Sequence, residues 1–329
     1  MKALILGGAG MLGAKLAQHL LTDDSWQARL TNLDLLDVVT PSTPAAPNVP
    51  AVLTRALTGS LTNPKVATQI AAERYDFIFH LAAIVSGEAE QDFAKGWQIN
   101  AMGSWHLLEA LRHAHEQSGG SYRPRLVFAS SIAVFGPPFP DLIPDDFHTA
   151  PLSSYGAQKA MTELLVSDHS RKGHIDGISL RLPTICVRPG KPNAAASSFY
   201  SGIIREPLAG QRAVLPVDPG LRHWFASPRS AIGFLAHAAN VETGQLSGRR
   251  ALNLPGVSCT IEEQIEALRD VAGEEAVALI DHKPDPNIQA IVNNWPQAFD
   301  PQEAKKLGFA AETDFRQIIE TYISEDMPS

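Results

Sequence analysis

The sequence predicts an α/β fold, a doubly wound parallel sheet with a smaller C-terminal lobe. Three observations lead there. Short apolar runs alternate with helix-like stretches through residues 1–182, a glycine-rich turn joins the first run to the first helix, and the rhythm breaks after Pro183. Strands and helices alternating at this spacing imply βαβ units, and so a parallel sheet covered by helices on both faces.

Each element has its own signal. Residues 3–6 (Ala-Leu-Ile-Leu) form an unbroken apolar run, as expected of a strand buried on both faces. Residues 7–13 are the turn and residues 14–21 the first helix. Residues 29–33 read as the second strand and 52–54 as a short third. Between them, residues 40–50 hold four prolines without periodicity and read as an exposed loop. Pro64 suits a first helical position and opens a helix to about residue 74. Residues 77–81 are the fourth strand, 92–115 a long helix, 126–129 the fifth strand, 153–171 the next helix and 178–182 the sixth strand. Beyond Pro183, Pro, Gly and polar residues cluster at 189–193 and 216–220, and short helix and strand patterns (260–271, 301–307, 314–322) finish the chain. The expected division is a cofactor-binding domain at 1–182 and a mostly substrate-binding lobe at 183–329, with segments of the lobe returning to the sheet. No internal repeat is visible.

Composition bounds the partners. With 329 residues, 44% hydrophobic and 19% charged, the chain reads as an ordinary globular protein. A net charge of −8 argues against nucleic acid or an anionic membrane as the main partner. No apolar run approaches the ~20 residues needed to span a bilayer. The first strand stops at Gly7, which leaves no room for a signal-peptide core. Cys186 and Cys259 are the only cysteines and fit a reducing compartment, so a cytoplasmic protein is expected.

The turn reads Gly7-Gly-Ala-Gly10-Met-Leu-Gly13. Glycines let the chain turn tightly and let backbone N–H groups approach a pyrophosphate at the positive end of a helix, as in Rossmann dinucleotide-binding folds. Gly7, Gly10, Met11, Leu12 and Gly13 are the candidate contacts. Asp34 lies at the end of the predicted second strand, about 20 residues on, where an acid hydrogen-bonds the adenosine ribose. Its competing role is a turn or helix cap. Leu35 and Leu36 follow, with no cation to receive a 2′-phosphate, so NAD is expected rather than NADP.

Tyr155 and Lys159 stand one helical turn apart on one face. A tyrosine has an ordinary pKa of about 10, and lowering it to neutrality takes roughly 4 kcal/mol of differential interaction. A neighbouring ammonium favours tyrosinate. Ser130 and Ser131 end the fifth strand, Ala82 and Ala83 follow the fourth, and Pro183 and Ile185 follow the sixth. In a doubly wound sheet all of these converge on the carboxyl edge that carries the glycine turn. A nicotinamide and a secondary alcohol could meet there, with tyrosinate taking the hydroxyl proton as hydride leaves.

Together these stretches resemble the extended short-chain dehydrogenase/reductase family, the epimerase/dehydratase group. The matching residues are Gly7-x-x-Gly10-x-x-Gly13, Asp34, His80-Leu-Ala-Ala83, Asn100, Ser130-Ser-Ile-Ala-Val-Phe-Gly136, Tyr155-x-x-x-Lys159 and Leu180-Arg-Leu182. The resemblance implies that Ser131 holds the reacting oxygen, that Tyr155 is the acid/base, and that Lys159 holds the nicotinamide ribose. It implies that Ser130 is a structural hydroxyl and that Asn100 bridges the long helix to the site and contacts the cofactor. It also implies a homodimer, paired through the helices at 92–115 and 153–171. Two positions depart from the pattern. Ser60 stands where an acid contacts adenine, and Thr184 stands where sugar-nucleotide members carry an Asn that reaches the substrate diphosphate.

The run from Ile185 to Tyr200, with Ser86 and the stretch from Leu221 to Arg229, is similar to a narrower branch that oxidises C2 of a four-carbon sugar acid with NAD. A small hydroxy acid needs a carboxylate clamp, for which Arg gives bidentate geometry. Arg188, Arg222 and Arg229 are the candidates, each with an ion pair as its alternative. Ser86, Ser131, Asn193 and Ser197 could hold hydroxyls. His80 reads as a core histidine, His113 and His115 face different ways, and no metal site is expected. Two other functions are weighed against this dehydrogenase: a sugar-nucleotide epimerase or dehydratase with retained NAD, and a non-enzymatic dinucleotide-sensing regulator, which has no need of the Tyr–Lys pair.

Overall fold

The computed structural model describes residues 1–44, 52–190, 197–246 and 248–327. Strand β1 (Lys2–Leu6) shows why the opening run is unbroken. Its side chains alternate between faces, Ala3 and Ile5 joining one core and Leu4 and Leu6 the other. Helix α1 (Met11–Thr22) buries Gly13, Leu16, Ala17, Leu20 and Leu21, a single stripe at helical spacing. Strand β2 (Asn32–Asp37) begins three residues later than predicted and runs four further. The loop predicted at residues 40–50 falls largely outside the described residues. Next come β3 (Leu53–Thr58) and α2 (Pro64–Ala72), whose start is fixed by Pro64 and by Asn63 accepting from the Lys65 N–H. Strand β4 (Phe77–His80) and helix α3 (Ser86–Gln91) follow.

The long helix expected at 92–115 forms without a gap from Phe93 to Gln117, but its hydrogen-bond period changes along it. A short helix (Phe93–Gly96) and a π-helical segment (Trp97–Met102) precede α4 (Gly103–Gln117). After β5 (Arg125–Ser131) come α5 (Ser154–Arg171) and β6 (Asp176–Leu182), close to their predicted places. The remaining elements used below are β7 (Thr184–Ile185), α6 (Ser198–Leu208), β8 (Arg222–Ala226), α7 (Pro228–Ala238), β9 (Ala251–Asn253), β10 (Val257–Thr260), α8 (Ile261–Val277) and α9 (Phe315–Glu325).

The predicted doubly wound sheet is what forms. Seven parallel strands run in the order β9-β6-β5-β4-β1-β2-β3. The order reverses at β1, which lies between β4 and β2, and a crevice opens at such a point above the strand ends. One core lies under α1 and α7, the other under α2, α4 and part of α5. A second, three-stranded sheet (β10-β8-β7) organises the lobe, whose own core draws on α6, α8 and α9. Strand β7 follows β6 after one residue, so the lobe begins at the edge of the main sheet. Among the described residues, no helix is long and apolar enough to cross a membrane.

Candidate active site

The glycine turn is built for close approach. Gly7 has a φ of 88°, and a Cβ there would lie 2.8 Å from the Ala82 nitrogen. A Cβ on Gly13 would fall 2.2 Å from the Gly7 carbonyl oxygen. Gly10 differs: it is exposed, and its Cβ would meet only the Gly7 oxygen, at 3.3 Å. It caps α1 without any side-chain hydrogen bond, and the first turn holds no acid. The first amides of α1, from Met11, Leu12 and Gly13, therefore open on the crevice as an anion cradle. These residues fit a dinucleotide pyrophosphate.

Asp34 requires a correction. It pairs in register with Leu4, in the middle of the sheet, and is fully buried. Its oxygens accept from Arg55, directly across on β3, at 2.8 and 2.5 Å, and from the Tyr75 hydroxyl. The carboxylate at the open edge is Asp37, one residue past the Leu36–Leu6 pair. Asp37 accepts from the Ala9 amide of the glycine turn at 3.0 Å. The residues after it are Val38 and Val39, both exposed, so no cation follows there either. The signal was in the sequence, because Leu35 and Leu36 carry the strand on to Asp37.

Ala82 and Ala83 lie half-buried just after β4, Ala82 against the glycine turn. Asn100 is buried in the π-helical segment, and both of its amide protons are used within the protein. It accepts from the Ile84 amide (2.9 Å) and donates to the Ile84 carbonyl (3.3 Å) and to Gln158 of α5 (2.8 Å). The expected bridge is present, and a cofactor contact by this side chain would fall to the second lone pair of Oδ1. Ser60 pairs with the Thr62 hydroxyl at 2.9 Å.

Ser131, Tyr155 and Lys159 come together as expected. Ser131 ends β5, opposite Leu182 of β6. Tyr155 and Lys159 sit on the first turns of α5, whose N-terminus is capped by Ser153 and by Glu90 accepting from the Ser154 amide. Lys159 is 3% exposed; its Nζ donates to the Ala129 carbonyl at 2.8 Å and lies 5.5 Å from the centre of the Tyr155 ring. Burial pushes the Tyr155 phenol up to about 12, opposed by its hydrogen bond with Ser131. Burial likewise pulls the Lys159 ammonium down to about 7, partly offset by the Glu163 charge. The expected pull of Lys159 on the phenol is therefore not the larger effect. Removing both groups from water outweighs it, and the ammonium turns to a carbonyl rather than to the phenol.

Glu163, one turn beyond Lys159, was not singled out from the sequence, although its spacing repeats the Tyr155–Lys159 interval. It is buried, accepts from Ser130 at 2.5 Å, and pairs with Arg181 at 2.9 Å. Ser130 thus has the structural role read for it. Arg181 is held further by Asn253 and by the Phe135 ring.

Of the arginines, Arg222 is tied to Glu263 (3.2 Å) and the Ser258 carbonyl, and Arg229 to Glu325 (2.6 Å). Arg222 thus has the ion pair weighed as its alternative, between partly exposed side chains. Arg188, following β7, is half-buried, and among the described residues no carboxylate pairs with it. Its guanidinium contacts the Ser197 hydroxyl at 3.4 Å, and burial lowers its pKa. Pro183 and Ile185 flank Thr184 beside Ser131, and Ser86 begins α3. Asn193 lies outside the described residues. His80 bonds Ser104 at 2.8 Å, and burial takes it down to about 3. Among the described residues, no group of three or more His, Cys, Asp or Glu could hold a metal.

Residues 3–224 match the model of the NAD dependent epimerase/dehydratase family. The D-erythronate dehydrogenase of Cupriavidus necator is 44% identical over 330 residues, covering 99% of this chain and 98% of the relative. That of Haemophilus influenzae is 42% identical over 327 residues, covering 99% and 100%. A crystal structure described as the nucleoside-diphosphate-sugar epimerase from Agrobacterium tumefaciens superposes with a TM-score of 0.95 at 52% identity, covering 99% of this chain and 94% of that one. The L-threonine dehydrogenase of Clostridium difficile shares the fold, with a TM-score of 0.82 at 21% identity over 99% of each chain.

Proposed function

The chain belongs to the NAD dependent epimerase/dehydratase family, and within it we infer an NAD-dependent dehydrogenase that oxidises the C2 hydroxyl of a small sugar acid of the D-erythronate type to the 2-oxo acid. The observation that carries the reaction type is the Ser131–Tyr155–Lys159 set at the same sheet edge as an uncapped glycine turn. Met11, Leu12 and Gly13 hold the pyrophosphate of NAD through their amides, and Asp37 holds the adenosine ribose. Lys159 holds the nicotinamide ribose. Bound NAD supplies the hydride acceptor and a positive ring that favours tyrosinate.

The phenolate of Tyr155 takes the C2 hydroxyl proton as hydride leaves C2, while Ser131 hydrogen-bonds the same oxygen. Arg188 anchors the carboxylate, since a half-buried guanidinium that has no acid partner among the described residues is best compensated by an anionic ligand. Two buried free cysteines fit a reducing cytoplasm. Two copies pair through α4 and α5, where Trp105 and Leu164 stand 38% and 71% exposed; sedimentation at twice the 35.4 kDa chain mass checks this.

Purified protein given D-erythronate should form NADH, with little or no reaction from NADP. Tyr155→Phe should lower kcat by about 10²- to 10⁴-fold. The 52% identity to the Agrobacterium protein favours a second reading, a sugar-nucleotide epimerase. Tightly retained NAD, UDP-sugar binding and no NADH from four- to six-carbon sugar acids would establish that reading and sink the first.

A further inference from the structure

Helix α6 and its cap close on a single residue, Arg188. Ser197, Ser201 and Arg205 recur at every fourth position, so they form one stripe along the helix. The Arg188 guanidinium donates to the Ser197 hydroxyl at 3.4 Å. The Ser201 hydroxyl accepts from the Arg188 amide at 3.0 Å, and the Arg205 guanidinium donates to the Arg188 carbonyl at 2.8 Å. One helix face thus fixes both backbone groups of Arg188 and meets the end of its side chain.

The chain leading to Arg188 is fastened to the same helix. Cys186 and Val187 are fully buried in the core of the lobe, and the Cys186 thiol donates to the Tyr200 carbonyl at 3.4 Å. Ser201 is 1% exposed and Arg205 8%, so water does not compete for either grip. Arg205 is held in turn by Glu206 at 2.5 Å, and both of these side chains lie largely out of water. Among the described residues Glu206 is the one carboxylate that pairs with either arginine. Two neighbouring guanidinium groups therefore share one negative charge, and the surplus favours an anion at Arg188.

We propose that Ser201 and Arg205 are positioning residues, which hold the backbone of Arg188 so that its guanidinium stands ready for the substrate carboxylate. The inference rests on the reading of Arg188 as the carboxylate anchor. Neither side chain touches the substrate. An anchor fixed before binding loses less freedom when the ligand arrives, so the stripe on α6 acts on affinity for the charged acid. Hydride transfer is left to Ser131, Tyr155 and Lys159, which stand on β5 and α5.

Steady-state kinetics with D-erythronate at saturating NAD test it, with D-erythronamide, the neutral amide of the same acid, as competitive inhibitor. Arg188→Met is the reference and should raise KM by about 100-fold, with kcat changed by less than about threefold. Ser201→Ala should raise KM by about 5- to 20-fold with kcat likewise kept. Arg205→Met combined with Glu206→Gln, which leaves no unpaired buried charge, should do the same. If that pair fails to fold, Ser201→Ala, which removes a single hydroxyl, still decides the question. Added to Arg188→Met, either change should raise KM by less than about twofold more, because it acts through Arg188. The Ki of the amide should move by less than about threefold in Ser201→Ala, since a neutral group gives Arg188 no charge to grip. A KM within about twofold of wild type in Ser201→Ala, losses that multiply with Arg188→Met, or an amide Ki that rises in step with KM would overturn the proposal. A wild-type KM in Arg188→Met would instead overturn the anchor reading, and this inference with it. Wild-type protein that makes no NADH from D-erythronate would overturn the substrate reading.

Discussion

Register separates two aspartates on one strand into different physical roles. Asp34 faces Arg55 in the sheet interior, and Asp37 lies beyond the last β1 pair, beside the amides of the glycine turn. Asp37→Asn should raise KM for NAD roughly tenfold, by weakening charge-assisted bonds to the ribose, and leave the melting temperature nearly unchanged. Asp34→Asn should do the reverse. It leaves Arg55 and Tyr75 facing a neutral amide and should destabilise by about 1–3 kcal/mol, discounted because Arg55 is partly exposed. Urea unfolding and NAD titration of the two variants separate the roles, and NAD affinity lost in Asp34→Asn with its stability intact would refute the assignment. The sequence Asp-Leu-Leu-Asp offers both acids, and a strand start read three residues early selects the inner one. The Tyr155–Lys159 pair was legible because its spacing is local, and Ser131 because it ends a strand at the edge where such a sheet gathers its site residues. The hydrogen bond between Thr184 and His223 was not legible, because 39 residues separate the partners and only the lobe's small sheet brings them together.

Helix α1 and its turn position the crevice, and each glycine in them makes a separable contribution. Gly13→Ala would drive a methyl to 2.2 Å from the Gly7 carbonyl, so the helix must shift off the sheet. A loss of about 1–3 kcal/mol is expected, together with loss of NAD binding. Gly10→Ala meets only a 3.3 Å contact on the exposed side and should fold nearly as well, yet bind NAD more weakly, because the methyl occupies the approach of the pyrophosphate. Calorimetric melting with and without NAD distinguishes the two; equal loss of stability in both would mean that the turn is only a packing device. The amphipathic stripe of α1 was readable from its leucines, whereas the π-helical segment was not. Its extra residue per turn answers to tertiary partners, Ile84 and Gln158 meeting Asn100, which periodicity along 92–115 does not encode.

Across the whole molecule, local pattern carries the main sheet and loses the lobe. Strands β1, β4 and β5 announce themselves as apolar runs, while β7, β8 and β10 are two to five residues long and are drawn from three separate stretches. The sheet and the lobe nevertheless share one vulnerability, a neutral buried histidine in each. Burial lowers His80 to about 3, aided by the Lys159 charge, and lowers His223 to about 3 as well. In the unfolded chain both would titrate near the ordinary value of about 6.5. Below that pH the unfolded state binds protons that the native state refuses, so stability is fully present above about 6.5 and falls as the medium is acidified towards 3. Each histidine contributes a slope of about 1.4 kcal/mol per pH unit within that window. Urea midpoints measured from pH 7 down to pH 4 should therefore decline steeply from about 6.5. His223→Phe, which keeps the stack on Tyr200, should make the decline shallower by the share of one site, about 1.4 kcal/mol per pH unit, while His80 and the more weakly depressed His169 and His174 keep theirs. A midpoint that stays flat over this range, or an unchanged slope in His223→Phe, would mean that the two rings gain protons in the native protein and are not the neutral groups that their burial requires.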